Sequence, residues 1–389
     1  MLKTKPILST FATSKREYIL HLKRLILTNF KNYEKQIIDC SLSINGYIGL
    51  NGMGKTNLLD AIYYLCMGKS YFNVNDAHLI RHGESFFRLE GHFSINEKHE
   101  QIVAKIAPQK KKELERGGIA YQRLSDHIGL IPVVIITPDD TNIVNEGSEE
   151  RRRFVDNTLS QLNQDYLRHL ISYNKLLKQR NVALKQMATH PSSYSNDLLA
   201  VYDQQMIEPA LYIHQQRKAF SVAFEPELKR IHYLISGERE AVSSRYRSQL
   251  TEHDFSTLLV ANREKDILLQ RTTVGVHRDD WVFNIDEHVL KRFASQGQLK
   301  SFVLALKLTQ YNWLKNEKKI APLLLLDDIF DKLDEQRVQH LLQLLIDGDY
   351  GQVFITDTAH NRLSKILSNL KTEYLQFIIF NGTAESSLP

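Results

Sequence analysis

Cysteine is almost absent from the chain: 389 residues contain two, Cys40 and Cys66, and neither stands at a metal-ligand spacing. That excludes a disulfide scaffold or a cysteine zinc site and fits a reducing, cytoplasmic setting. Long apolar runs are missing too. No stretch approaches the ~18 to 20 residues needed to cross a bilayer, and Met1–Arg16 carries scattered Lys and Arg without an apolar core of signal-peptide quality. A membrane partner is therefore not expected. Charge of one sign is also scarce, since 50 Lys and Arg face 45 Asp and Glu for a net +5. So mild a basic balance raises the case for a nucleic-acid partner only slightly.

What is present alternates between two textures. Leu22, Leu25 and Leu27, then Ser43 to Leu50, read as strands, and Leu58, Leu59, Ile62, Leu65 and Cys66 recur at helical spacing after Thr56. Residues 85 to 136 suggest further strands, including Phe86 to Phe93 and Pro132 to Ile136, with a charged loop at Lys110–Lys112. From Phe154 to about His190 the apolar residues Leu159, Leu162, Tyr166, Leu170, Tyr173 and Leu177 mark one long helix. A turn at Pro191–Asn196 leads to a second helix (Leu199, Tyr202, Met206) that Pro209 should kink or restart. Strands are expected again after about Leu268. Pro322 to Asp327 is a fully apolar run ending in an acid, as in a strand buried on both faces of a parallel sheet, with a helix at Glu335–Ile346 and a strand at Gln352–Thr356 to follow. The fold class expected is α/β: one lobe split between 19–150 and 269–389, with a helical arm or a plain helical subdomain inserted at 151–268.

Three motifs carry chemistry. Gly49-Leu50-Asn51-Gly52-Met53-Gly54-Lys55-Thr56 matches the phosphate-binding pattern G-x-x-x-x-G-K-[ST] at every fixed position. Its glycines let backbone N–H groups point at an anion, and the helix that opens there adds its positive end. Lys55 would reach the β- and γ-phosphates of ATP, the Thr56 hydroxyl would ligate Mg²⁺, and Gly49, Asn51, Gly52, Met53, Gly54 and Asn57 complete the nucleotide-binding candidates of the loop. Asp327 ends the buried strand and is the second Mg²⁺ candidate; Asp328 is placed to orient or deprotonate the attacking water. Two solvated aspartates at a strand end would be the plainer reading. Ser295, with Gly297 and Gln298, precedes an apolar-periodic helix, where it is either an N-cap or a contact to a γ-phosphate.

In this order the three motifs resemble ABC-type ATPases of the SMC-like branch. Residues 22–33 (LKRLILTNFKNY), 52–62 (GMGKTNLLDAI), Gly68-Lys69-Ser70, 149–156 (EERRRFVD), 275–280 (GVHRDD), 295–298 and 325–334 (LLDDIFDKLD) resemble the RecF family from about Ile19 to the C-terminus. The resemblance implies an ATP- and DNA-binding protein of recombinational repair that dimerises with ATP. Its family's partners are RecO and RecR, in loading RecA at single-strand gaps of DNA that is part duplex and part single-stranded. It implies that Ser295 contacts the nucleotide of a second copy, that Asp334 sits at the same interface, and that Asp328, shorter than the glutamate common in ABC ATPases, gives slow hydrolysis. Met1–Tyr18 precedes the family's usual start and is expected to be a disordered extension or the product of an upstream start codon.

Some features depart from the pattern. His360 is offset from the usual switch histidine, and no phosphate-sensing glutamine stands near Thr137–Asp140. Arg151, Arg152, Arg153 and Lys111 are candidates for DNA phosphates, although the arginines could equally hold the root of the arm by ion pairs. Arg278 is either structural or a nucleotide-positioning residue. A transporter's nucleotide-binding subunit and a non-hydrolysing DNA scaffold are the competing functions.

Overall fold

The computed structural model describes residues 19–72, 74–189, 196–237, 240–329, 350–358 and 373–387. The first strand, β1 (Leu20–Phe30), buries Leu22 and Leu25, which lie an odd three residues apart. A register shift between Leu22 and Arg24 reconciles them: the bulge lets both face the core. Next come β2 (Tyr33–Asp39), β3 (Ile44–Ile48), α1 (Lys55–Met67), β4 (Phe87–Ile95), β5 (Lys98–Ile106), β6 (Glu113–Arg116), β7 (Ile119–Ala120) and β8 (Val133–Ile136). Helices then dominate, with α2 (Asn142–Asn145), α3 (Ser148–Leu162), α4 (Gln164–Thr189) and α5 (Asn196–Ile235). After them follow β9 (Val242–Arg247), α6 (Phe255–Ala261), α7 (Arg263–Leu269), β10 (Asp280–Ile285), β11 (His288–Val289) and α8 (Leu290–Phe293). The chain closes with α9 (Gln296–Lys318), β12 (Leu323–Leu326), β13 (Val353–Asp357), β14 (Tyr374–Phe380) and β15 (Thr383–Ser387).

Among the described residues the strands form three sheets. One is antiparallel in the order β2-β1-β4-β5-β6-β7, a second is β15-β14-β3-β13-β12-β8, and the third is β11-β10-β9. In the second sheet β8, β12, β13, β3 and β14 run parallel, and only β15 is antiparallel. The four leucines of β12 explain why it had to be uniformly apolar. Leu323 and Leu325 belong to the core shared with α1, whereas Leu324 and Leu326 belong to the core shared with α9. Successive side chains point to opposite faces, and both faces are covered. Leu→Ala at any of the four would cost about 2–5 kcal/mol. The buried Gln352 amide joins the first two sheets, bonding the Leu22 N–H at 2.7 Å, the Leu22 carbonyl at 2.8 Å and the Ser41 carbonyl at 2.6 Å.

The helical region differs from the expected single long helix. Asn163 leaves helical geometry and ends α3 (φ −132, ψ 110). Its side chain then accepts from the N–H groups of Asp165 (2.9 Å) and Tyr166 (3.0 Å), capping α4. The apolar stripe passes through this break because α3 and α4 pack against the same core. Pro209 does not restart the second helix: α5 runs 40 residues with Pro209 and Pro226 inside it. Each proline removes one backbone bond, and packing on α4, α9 and β9 holds the helix together. Strands return at Val242 rather than after Leu268, since β9 pairs along β10 from Val242–Ile285 to Arg247–Asp280. The expected helix at Glu335–Ile346 and the turn at Pro191–Ser195 lie outside the described residues, as do Met1–Tyr18, Asp334 and His360.

Two fully buried arginines tie these helices together. Arg217 of α5 meets Asp156 of α3 at 2.8 Å and Asp279 at 2.8 Å, and donates to the Val276 carbonyl at 2.7 Å. Arg180 of α4 meets Asp203 and Asp266, both at 2.7 Å. In the string Gly275–Asp280, His277 bonds the Tyr173 hydroxyl at 2.8 Å and Asp280 pairs with Arg151, while Arg278 is exposed. The string is thus largely structural.

Candidate functional site

β3 delivers the chain to Gly49, and α1 carries it away from Gly54. Between them the loop needs glycine at two positions. Gly52 has φ +81, and a Cβ there would meet nothing within 4 Å, so its face is open for a ligand. Gly54 has φ +116, and its Cβ would meet the Asn32 side-chain amide at 2.6 Å and the Tyr33 hydroxyl at 2.9 Å. Both the backbone angle and the close approach require glycine there. The Lys55 ammonium lies inside the loop, donating to the carbonyls of Gly49 (2.8 Å) and Leu50 (3.3 Å). Leu50 and Asn51 point to solvent, Leu50 with 70% of its surface exposed.

Parallel pairing places the carboxyl ends of β12 and β13 beside this loop. The Thr56 hydroxyl lies 3.0 and 2.9 Å from the two oxygens of Asp327. The buried Thr356 hydroxyl donates to Asp327 Oδ1 at 2.8 Å and accepts the Asp328 N–H at 2.8 Å. Asp328 takes a left-handed backbone (φ 43), and one of its oxygens is 3.7 Å from the Lys55 ammonium. Burial pushes the Asp327 carboxyl up to about 6; bonds from Thr356 and Thr56 oppose the rise, and the Asp328 charge adds to it. A divalent cation would reverse that balance. The oxygens also fit Mg²⁺: neighbouring ligands at about 2.0–2.1 Å in an octahedron stand roughly 2.9 Å apart, the separation found between Thr56 and Asp327.

The loop is held from outside by residues that motif reading missed. Asn32 donates to the Met53 carbonyl at 2.9 Å and accepts from the Asn57 amide at 2.7 Å. The Tyr33 hydroxyl donates to the Gly54 carbonyl at 3.1 Å, and the Gly382 N–H reaches the Met53 carbonyl at 3.1 Å. Met53 and Asn57 therefore anchor the loop as well as flanking its face. Asn32 and Tyr33 lie within 22–33, but no spacing rule connects them to a loop 20 residues away.

The family model for the RecF/RecN/SMC N-terminal domain matches residues 21–378. The DNA replication and repair protein RecF of Flavobacterium johnsoniae is 45% identical over 93% of this chain and 100% of its own length. The chain belongs to the RecF family. The RecF of Cytophaga hutchinsonii is 38% identical over 95% of the chain and 98% of its own length. A solved structure of the recombination mediator protein RecF–ATP in the RecFOR pathway superposes with TM-score 0.86 at 26% identity, covering 96% of this chain and 100% of that one. An SMC head domain with an extended coiled coil, from Pyrococcus furiosus, shares the fold at TM-score 0.55 and 15% identity, over 95% of this chain and 96% of that one. The fold is α/β, that of an ABC-type P-loop ATPase lobe split in sequence with an inserted helical arm.

Within that family fold, Ser295 is an exposed N-cap of α9 whose side chain accepts the Gln298 N–H at 3.2 Å, while Gln298 Oε1 accepts the Ser295 N–H at 2.8 Å. Among the described residues Ser295, Gly297 and Gln298 make no hydrogen bond to their own phosphate loop. The segment Thr137–Asp140 carries a carboxylate network rather than a glutamine: Lys307 pairs with Asp140 at 2.8 Å and reaches Tyr71 at 2.9 Å. The three arginines are not equivalent. Arg151 grips Asp280 at 2.6 Å and the carbonyls of Ile143 and Glu146, the ion-pairing arrangement that its alternative role at the root of the arm requires. Arg153 pairs with Glu150 at 2.9 Å. Arg152 donates to the Ser148 hydroxyl at 2.6 Å and the Asp279 carbonyl at 2.7 Å. Lys111 is exposed in the loop between β5 and β6.

Proposed function

We propose that the chain is an ATP-dependent DNA-binding protein of recombinational repair and replication restart, with a slow, DNA-modulated ATPase serving as a switch. The observation that carries this is the Thr56–Asp327–Thr356 cluster at the foot of the phosphate loop, with Asp328 facing Lys55. In this reading Lys55 and the loop N–H groups hold the triphosphate, and Thr56 and Asp327 hold Mg²⁺. Asp328 aligns the attacking water, its short side chain limiting the rate. The signature Ser295, Gly297 and Gln298 stand apart from their own loop, so they complete the nucleotide site of a second copy. ATP then closes a homodimer on duplex or gapped DNA, and hydrolysis releases it.

Residues 19–150 and 269–389 act as the ATPase lobe and 151–268 as the arm, with β9 at the junction. The family likeness supports a cytoplasmic role beside RecR and RecO, leading indirectly to RecA loading at gaps. No helix among the described residues is long and apolar enough to cross a membrane; what argues against a transporter's nucleotide-binding subunit is the helical arm and the arginine-rich junction at Arg151–Arg153. Light scattering tests the switch: ATP with Mg²⁺ is expected to double the mass, and Ser295→Arg to block the doubling while ATP still binds. A mass that ignores ATP would sink the proposal.

A further inference from the structure

Behind the phosphate loop α1 is a buried rod: Lys55 and every residue from Leu58 to Met67 are buried. Thirteen residues make it about 20 Å long. It ends at Gly68, in the left-handed region (φ 65), and there opens a cleft of about 660 Å³ whose far wall is formed by α3 and α4. The cations Lys69, Lys112, Arg152, Arg153 and Arg217 line it, against the acids Glu149 and Asp156.

Three of those cations are already neutralised. Arg217 is held by Asp156 and Asp279, Arg153 by Glu150, and Lys112 by Asp76 at 2.7 Å. Lys69 and Arg152 differ, since among the described residues neither has a carboxylate within ion-pair reach. Lys69 stands exposed at the mouth, and Arg152 is fixed deeper by Ser148 and the Asp279 carbonyl. Lys69 reaches solvent, yet the protein packed around its ammonium displaces part of its water; that and the neighbouring Arg153 and Lys112 push it down, with Asp156 partly offsetting them. Burial and then Arg217 do the same to Arg152, offset in part by Asp156, Asp279 and Glu149. Leu167, Leu170 and Ile171 of α4 supply an apolar side that weakens solvent screening. Crowded cations of this kind are relieved by an anion.

We propose that this cleft binds a phosphoryl anion between Lys69 and Arg152, either a backbone phosphate of DNA or a free phosphate. The DNA alternative rests on the function proposed above; the free-phosphate alternative does not. α1 links this site physically to the phosphate loop, with Thr56 at one end and Lys69 just past the other.

The test has two arms on the full chain. Duplex affinity is measured with ATP between about 50 and 200 mM salt for wild type, Lys69→Ala and Lys69→Arg. Thermal stability is measured against inorganic phosphate without nucleotide. Lys69→Ala is expected to lower the log–log salt slope by about 1, with Lys69→Arg restoring it and ATP affinity unchanged. An unchanged slope, with phosphate stabilising wild type but not Lys69→Ala, identifies a free phosphate as the ligand. If wild type binds no DNA, the function proposed above fails and the phosphate arm alone judges the cleft. If neither the slope nor the phosphate response depends on Lys69, the site is refuted.

Discussion

Replacing Thr356 by valine removes one hydroxyl, keeps the shape, and tests how the acidic pair is held. That hydroxyl donates to Asp327 at 2.8 Å and accepts the Asp328 N–H at 2.8 Å, all within a buried strand end. A hydrogen bond to a charged group contributes about 1.5–3 kcal/mol, and leaving a buried N–H without its acceptor costs about 1–3 kcal/mol. Losing the partner of a metal-binding carboxylate lowers metal affinity about 10- to 100-fold. The Mg²⁺ concentration giving half-maximal phosphate release should therefore rise by that factor in Thr356→Val. Binding of a fluorescent nucleotide without Mg²⁺ should stay close to wild type, and Thr356→Ser should restore the response. A folded Thr356→Val protein with the wild-type Mg²⁺ midpoint would show that Thr356 does not position Asp327.

Arg217→Met leaves Asp156 and Asp279 facing each other without their cation. It should cost about 3–5 kcal/mol in urea unfolding, and a loss under about 1 kcal/mol would contradict the bracing role. His127 is buried, donates to the Leu65 carbonyl at 2.7 Å, and burial holds its pKa down to about 4 against an ordinary 6.5. The unfolded chain then takes up the proton first, so this contribution is complete above pH 6.5 and is lost as pH falls toward 4. His127→Gln should flatten the urea midpoint over that window relative to wild type, and parallel pH profiles would refute the assignment.

Much of the fold was legible because its strongest signals are local. The phosphate loop, the helix after it and the leucine run at Leu323–Leu326 each carry their pattern within a dozen residues. The break at Asn163 was hidden because the apolar stripe continues across it, and the one residue that interrupts the helix also caps the next. β9 was hidden because Val242–Arg247 is mostly polar and becomes a strand through pairing with β10, some 40 residues away. The site divides in the same way. Lys55, Thr56 and Asp327 follow from motif chemistry, whereas Thr356, Asn32 and Tyr33 act through contacts between segments 21 to 29 residues apart in sequence, such as Tyr33 with Gly54 and Thr356 with Asp327. The arginine triplet showed its charge in the sequence but not its partners. Only the fold shows that Arg151 faces Asp280 while Arg152, among the described residues, has no carboxylate within ion-pair reach.

The most direct test is the mass of the chain in solution with ATP and Mg²⁺, by light scattering, with and without duplex DNA. The proposed switch requires a shift from 45.1 kDa to twice that value with ATP, abolished by Lys55→Met and by Ser295→Arg, the latter still binding ATP. A wild-type mass of one chain under saturating ATP, Mg²⁺ and DNA would contradict an ATP site shared between two copies.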